Sequence, residues 1–417
     1  MSKLSATRVW LVYRGAESFA FAVGWTVAPV FFVRELHMSP LQLVLVGTAL
    51  EIAYFVFEVP TGVVADTYSR RLSTILGVFG IGLAFVFTGL APSVGIVLGA
   101  AALMGFAWTF KSGAEDAWIT DEVGAEHVGR SFQRGAQAAR IGGLAGLGVS
   151  VALALVDLRL PIVAGGVVAI ALALFLALTM PETRFRPARR EELSAARSLV
   201  ATARVGGGLV RGRPILLLIV GIAFFAGMSS EGFDRLGEAH LIVDVGMPEL
   251  AGLDPVVWFA VLGAGSALLS IVVAQPLLRR LSDLGRGQLA RLLLACDALR
   301  IVGLLAFAFA GAFAAAVAAW WATRLVRSLA APVYSTWLNA NIEESSVRAT
   351  VISITNLGDS LGQWGGGPAL GGIGNVFGIR AALVGAAVVL SPALWLYARA
   401  VRHHGREPEL VRAPEPA

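Results

Sequence analysis

Three carboxylates, Glu17, Glu51 and Asp359, lie deep inside apolar stretches of the chain. An ionisable group at membrane depth is expensive unless it faces an opposite charge or a water-filled cavity, so each one is a functional candidate. A carboxylate in such a place can take a proton on one side of a membrane and release it on the other, which makes these three the candidate coupling groups. A structural ion pair with a nearby arginine is the alternative for each. Arg14 stands three residues before Glu17 on a helical face that Phe21 and Trp25 continue. Trp108, Lys111, Glu115 and Trp118 recur at intervals of three, four and three and form a second stripe of aromatic and charged groups. Later stretches add Arg140, Trp321, Arg324 and Arg327. These residue types suit a pocket for a small amphipathic molecule, with Phe21, Trp25, Trp108, Trp118 and Trp321 as its apolar wall and Lys111, Glu115 and Arg324 as polar contacts.

Between Ser229 and Glu238 the acids Glu231, Asp234 and Glu238 alternate with Gly232 and Gly237. That segment reads either as a hinge and the vestibule of a cavity, or as a loop following a helix that stops near Met228. A second polar cluster, Gly62-Val63-Val64-Ala65-Asp66-Thr67-Tyr68-Ser69-Arg70-Arg71, fills the gap between two long apolar stretches and reads as an interfacial latch. Asp66 near a helix N-terminus gains electrostatic stabilisation, and Arg70 or Arg71 can pair with Asp121 or Glu122. Contacts of that kind would favour a state closed on their own side of the membrane. Enforcing topology is the simpler role for the arginines. Two glycine runs, Gly142 to Gly148 and Gly365 to Gly372, offer small-residue faces for close helix contact, with Gly142, Gly146, Gly366, Gly367 and Pro368 central to them.

Elements that position such groups follow from composition. The 417 residues are 57% hydrophobic and 15% charged, with a mean hydropathy of +0.75, more apolar side chain than a soluble domain can hide. About 20 apolar residues cross a membrane, and the turn signals divide the chain into twelve spans: 9–33, 41–65, 73–91, 94–118, 131–156, 159–180, 214–242, 255–278, 288–309, 311–338, 349–372 and 376–400. The first span is read as a retained helix, because Arg14 and Glu17 interrupt what would be a signal sequence. A polar linker, 181–213, carries eight arginines, which by the positive-inside pattern places it in the cytoplasm. An even number of spans then puts both termini there, and the basic Arg402 to Arg406 tail agrees. The single cysteine, Cys296, excludes a disulfide framework and a multi-cysteine metal site. No phosphate-binding glycine turn or His-Glu-x-x-His helix is present, the loops leave no room for a catalytic domain, and the net charge of +5 is spent on topology rather than on nucleic acid. Without a nucleotide site the energy must come from a gradient.

The two sets of six spans read as related halves, with chance likeness between short arginine-rich loops as the alternative. Lys111-Ser112, Trp118 and Arg130 in the first match Arg327-Ser328, Trp337 and Arg348 in the second, and Arg280 to Arg286 looks like a degraded copy of the Asp66 segment. Gly62, three residues, Asp66 and the basic pair Arg70-Arg71 resemble the signature between the second and third helices of the major facilitator superfamily, although Thr67 and Ser69 stand where members often carry a basic residue and a glycine. Glu58-Val59-Pro60-Thr61-Gly62 and Ser112-Gly113-Ala114 with Asp121 are similar to the drug-efflux branch of that family. The run at 365–372 resembles the antiporter signature that members carry in helix five, whereas span five here has glycines without the proline.

The resemblance implies an all-α membrane protein of twelve transmembrane helices in two pseudo-symmetric six-helix bundles. The expected divisions are 1–180, a cytoplasmic linker 181–213, 214–400 and a tail 401–417. The expected function is secondary active transport by alternating access, with proton-coupled efflux of a drug-like or amphipathic molecule by a monomer in the bacterial inner membrane, its partners being that small molecule, the proton and membrane lipid. No cofactor, metal, enzymatic activity or nucleic-acid partner is expected. Two alternatives stand beside it: an importer or exchanger of an anionic metabolite, suggested by Arg14, Lys111, Arg140 and Arg324, and a membrane sensor or scaffold that keeps the fold without transport.

Overall fold

The computed structural model describes residues 4–187, 212–249, 252, 254–274, 276, 278, 284–342 and 348–404. Most of the linker arginines, the proposed copy at 280–283 and the tail beyond His404 lie outside the described residues. The helices are α1 (Ala6–Trp25), α2 (Ala28–Arg34), α3 (Pro40–Thr67), α4 (Arg70–Gly89), α5 (Val94–Lys111), α6 (Ala114–Val123), α7 (Ala125–Ala154) and α8 (Arg159–Thr179). After the linker come α9 (Pro214–His240), α10 (Val257–Leu269), α11 (Arg286–Ala308), α12 (Phe313–Ala340), α13 (Arg348–Phe377) and α14 (Ile379–His404). Wider π turns, Leu241–Val245 and Ser270–Ala274, prolong α9 and α10. Because α1 with α2, and α5 with α6, each make one broken segment, the described residues hold twelve long helical segments and no strand. Eight of them are long and apolar enough to cross a membrane on that basis alone.

Local chemistry explains where these helices start and break. Ser39 caps α3, accepting from the Gln42 amide while the Gln42 side chain bonds back to the Ser39 N–H, and Pro40 occupies the first turn where no donor is needed. Ser69 caps α4 through the Leu72 amide. At Gly113 the backbone φ is +74°, a conformation that favours glycine, and it separates α5 from α6.

The two groups of six helices repeat one packing scheme. In the first, α1 lies along α7 and α8, and α4 lies along α5 and α8; in the second, α9 lies along α13 and α14, and α11 along α12 and α14. On the face where the linker joins, each group has its own core. Val9, Trp10, Trp118 and Leu176 form one, and Leu216, Leu293, Trp337 and Tyr397 form the other. On the far face a single core draws on both groups, with Phe31, Phe85 and Val44 beside Phe233, Phe307 and Leu383. A smaller shared cluster joins Val30 and Val151 to Val256 and Phe259. Polar contacts close the same side, the Leu41 amide donating to Asn375 Oδ1 at 2.9 Å and Arg34 pairing with Asp254 at 3.4 Å. Among the described residues, the two groups therefore share a core on the far face and keep separate cores on the linker face.

Candidate functional site

Four charges in the first group form a balanced cluster between α1 and the α5–α6 break. Arg14 reaches Glu17 at 2.9 Å and Glu115 at 3.2 Å, and Lys111 reaches the same acids at 2.6 Å and 3.4 Å. The Tyr13 hydroxyl donates to Glu115 and lies 3.3 Å from Glu17. Lys111 is only 3% exposed, so its charge depends on these partners. Its ammonium also sits 4.3 Å from the centre of the Trp108 ring. The structure thus joins two stripes that were separate in the sequence, and it balances Glu17 with two cations.

A cavity of about 380 Å³ next to this cluster is lined by Arg14, Glu17, Lys111 and Glu115 together with Phe21 and Trp108. Phe21 and Trp108 also bound a second space of about 380 Å³ with Trp25, Glu51, Tyr54 and Arg235. A third, again about 380 Å³, lies between the groups, where Phe21 and Trp25 face Trp320, Arg324 and Glu238. Arg324 stacks 4.8 Å over the Trp320 ring and is the principal opposite charge facing Glu238. In the second group a space of about 310 Å³ holds Asp297, Arg300, Arg327, Tyr334, Asp359 and Gln363. There Arg300 pairs with Asp297 at 2.8 Å and Arg327 grips both oxygens of Asp234 at 2.7 and 2.6 Å. Gln363 donates to Asp359 at 2.7 Å.

Arg235 crosses from α9 to α3. It pairs with Glu231 at 3.3 Å, and a Cβ added at Gly47 would run into its guanidinium, one turn before Glu51. Among the described residues, Glu51, Asp116, Glu238 and Asp359 line these cavities without joining a direct ion pair; near Glu51 Arg235 is bonded to Glu231, and near Asp359 Arg327 and Arg300 are bonded to other acids.

Several expected positions fall elsewhere. Trp118 is 2% exposed and donates its indole N–H to the Pro181 carbonyl at 2.6 Å, because the turn at Ser112–Gly113 rotates α6 away from the α5 stripe. Trp321 donates to the Leu262 carbonyl at 3.1 Å and covers Gly265, tying α12 to α10, while its neighbour Trp320 faces the cavity. Arg140 is exposed on α7 and lines none of the four spaces. The segment from Ser229 to Glu238 is continuous helix, neither a loop after Met228 nor a broken hinge. Its glycines are packing positions, Gly232 against Ala386 and Leu370 and Gly237 against Trp320. The sequence pattern does not single out Arg235, Tyr13, Asp297 and Arg300, which the structure places at these clusters. Asp297 and Arg300 carry the signal that identified Asp359, charge in the middle of an apolar span.

The Gly62–Arg71 segment is mostly the end of α3 rather than a loop. Asp66 is over half exposed and pairs with Arg70 at 3.6 Å; Arg70 in turn pairs with Asp121 on α6. All three belong to the first group, so their contacts do not cross to the second. The acid at the N-terminus of α4 is Glu182, which accepts from Ser69 Oγ at 2.6 Å and the Arg71 amide at 2.9 Å, while Glu122 accepts from Thr183 and the Arg184 amide. Arg71 donates to the Ala177 carbonyl. Gly62 has open space around it.

The glycine runs divide by task. Gly142 and Gly146 let α7 meet the Gly15 and Phe19 carbonyls of α1, and Gly362 and Gly366 let α13 meet Phe224 and Met228 of α9. Gly367, beside Pro368, faces Val44 of α3 across the seam, and Gly371 faces Leu41. The glycine-rich span eleven therefore docks on the far-face end of α3, remote from Asp66.

Comparison with known proteins was made on this architecture. Residues 15–287 match the model of a family described as Major Facilitator Superfamily. An uncharacterized MFS-type transporter of Bacillus subtilis (strain 168), YxaM, is 27% identical over 124 residues, and the match spans 30% of each chain. A bacterial homolog of the human lysosomal transporter Spinster, solved inward-facing and unoccupied, superposes with a TM-score of 0.74 at 17% identity, covering 95% of this chain and 96% of that one. The nucleoside transporter NupG superposes with a TM-score of 0.74 at 13% identity, over 95% of this chain and 99% of that one. At these identities the two structures speak for the fold alone.

Proposed function

The chain belongs to the major facilitator superfamily, and on that premise we propose that it is a multi-pass membrane transporter of small molecules rather than an enzyme, one that exports an amphipathic, cationic or drug-like compound in exchange for protons. The observation that carries this reading is the charge pattern of the central space. Glu51 stands without a dedicated cation beside Phe21, Trp25 and Trp108, and Asp359 stands without one in the separate space that Tyr334 and Tyr397 line. A spare carboxylate can hold a proton or a substrate cation but not both, and the rings accept the apolar body. Arg14 and Lys111, which would have favoured an anionic metabolite, are already neutralised by Glu17 and Glu115.

In this reading residues 1–180 and 214–400 rock about the cavity as two bundles, the protein works as a monomer, and the linker, 181–213, and both termini lie in the cytoplasm of a bacterial inner membrane. The described state then faces the cytoplasm. Efflux of a cationic dye from cells is the test. Dye loss is expected to stop when a protonophore collapses the gradient, and Asp359→Asn is expected to abolish gradient-driven efflux and to weaken dye binding. Uptake of an organic anion with no dye movement would refute the proposal.

A further inference from the structure

We propose that a groove between the linker-side ends of α9 and α14, separate from the substrate cavity, binds one anionic phospholipid of the surrounding leaflet. The groove has a volume of about 830 Å³. One wall is apolar, built from Pro214, Leu217 and Leu218 at the start of α9. The other belongs to the end of α14 and carries Trp395, Arg399, Arg402 and His403. Among the described residues no carboxylate lines it.

Position and geometry fit a lipid better than a free anion. Leu217 is 46% exposed and Trp395 55% exposed, so both meet the acyl region rather than the protein core. An exposed tryptophan near a span end sits at headgroup level, with its ring in the apolar zone. Arg399 stacks 4.5 Å over that ring, which holds its guanidinium at the rim. Arg402, exposed one turn further on, has its Nε tied to the Ala398 carbonyl at 3.3 Å. Guanidinium groups bind phosphate oxygens in bidentate fashion, so the pair is suited to a phosphodiester with its chains along Leu217 and Trp395. The equivalent helix of the first group, α8, lacks these features. Its last turn has no basic residue, and the acid Glu182 follows it.

The test uses the full chain purified in detergent, with binding followed by thermal unfolding during titration. Phosphatidylglycerol is expected to stabilise the wild type saturably, whereas phosphatidylcholine and inorganic phosphate do not. Arg399→Gln combined with Arg402→Gln is expected to weaken the response roughly tenfold, on the order expected for two surface arginines. Both side chains are exposed on a helix, and size-exclusion chromatography verifies that the variant is folded. Arg134→Gln, an exposed position on α7, serves as the matched control and should titrate like wild type. The proposal is overturned by a double variant that responds as wild type does, by an equal loss in the control, by phosphatidylcholine matching phosphatidylglycerol, or by inorganic phosphate alone reproducing the shift. None of these readouts depends on the cargo or on proton coupling.

Discussion

At Lys111 the local balance of charge is tight: an almost fully buried ammonium holds two carboxylates that would otherwise share a site with Arg14 alone. Removing one member of a buried ion cluster leaves its partner uncompensated, at about 3–5 kcal/mol. Lys111→Met is therefore expected to lower the unfolding temperature markedly, and adding Glu17→Gln to recover part of the loss. Additive losses in the double variant would show that the two residues do not interact. Asp66→Asn should cost less than about 1 kcal/mol, because its pair with Arg70 is long and exposed. Thermal unfolding that drops as far as for Lys111→Met would contradict this view. The acids and bases of this cluster were visible in the sequence as residues with the wrong polarity for their surroundings. Their mutual pairing was not, because Glu17 and Lys111 are far apart in sequence and only the packing of α1 beside the α5–α6 break brings them together.

At the level of whole helices, small residues decide how closely neighbours approach. A Cβ at Gly142 would collide with the Gly15 carbonyl, whereas one at Gly143 meets nothing within 4 Å. Gly142→Ala is thus expected to cost about 1–3 kcal/mol by overpacking, and Gly143→Ala to be neutral or to stabilise by up to about 1 kcal/mol through helix propensity. Comparable effects at the two positions, measured by thermal unfolding, would mean that α7 does not rest on α1 as described. The sequence marks both glycines as a small-residue run, and only the facing carbonyl separates them. The same limit explains the α5–α6 break. An interval of three, four and three reads as one stripe, yet Gly113 with its positive φ ends that helix and sends Trp118 into the core.

At the largest scale, the described residues of the two six-helix groups share a core on the far face and keep separate cores on the linker face. Paired cysteines in place of Leu41 and Asn375, whose contact spans the seam, should lock that closure when oxidised and stop transport, with recovery on reduction. Unchanged transport by the oxidised protein would show that this contact persists through the cycle. From the sequence alone came the membrane class, the twelve helices, the two related halves and the buried charges, since apolar length, glycine and charge at depth are properties of local composition. The tertiary structure decided which charges neutralise one another, which tryptophans meet the cavity, and that Glu51 and Asp359 are left spare. Those outcomes depend on helix rotation and on contacts between distant segments, where a turn of about 100° per residue moves a side chain from the core to the cavity.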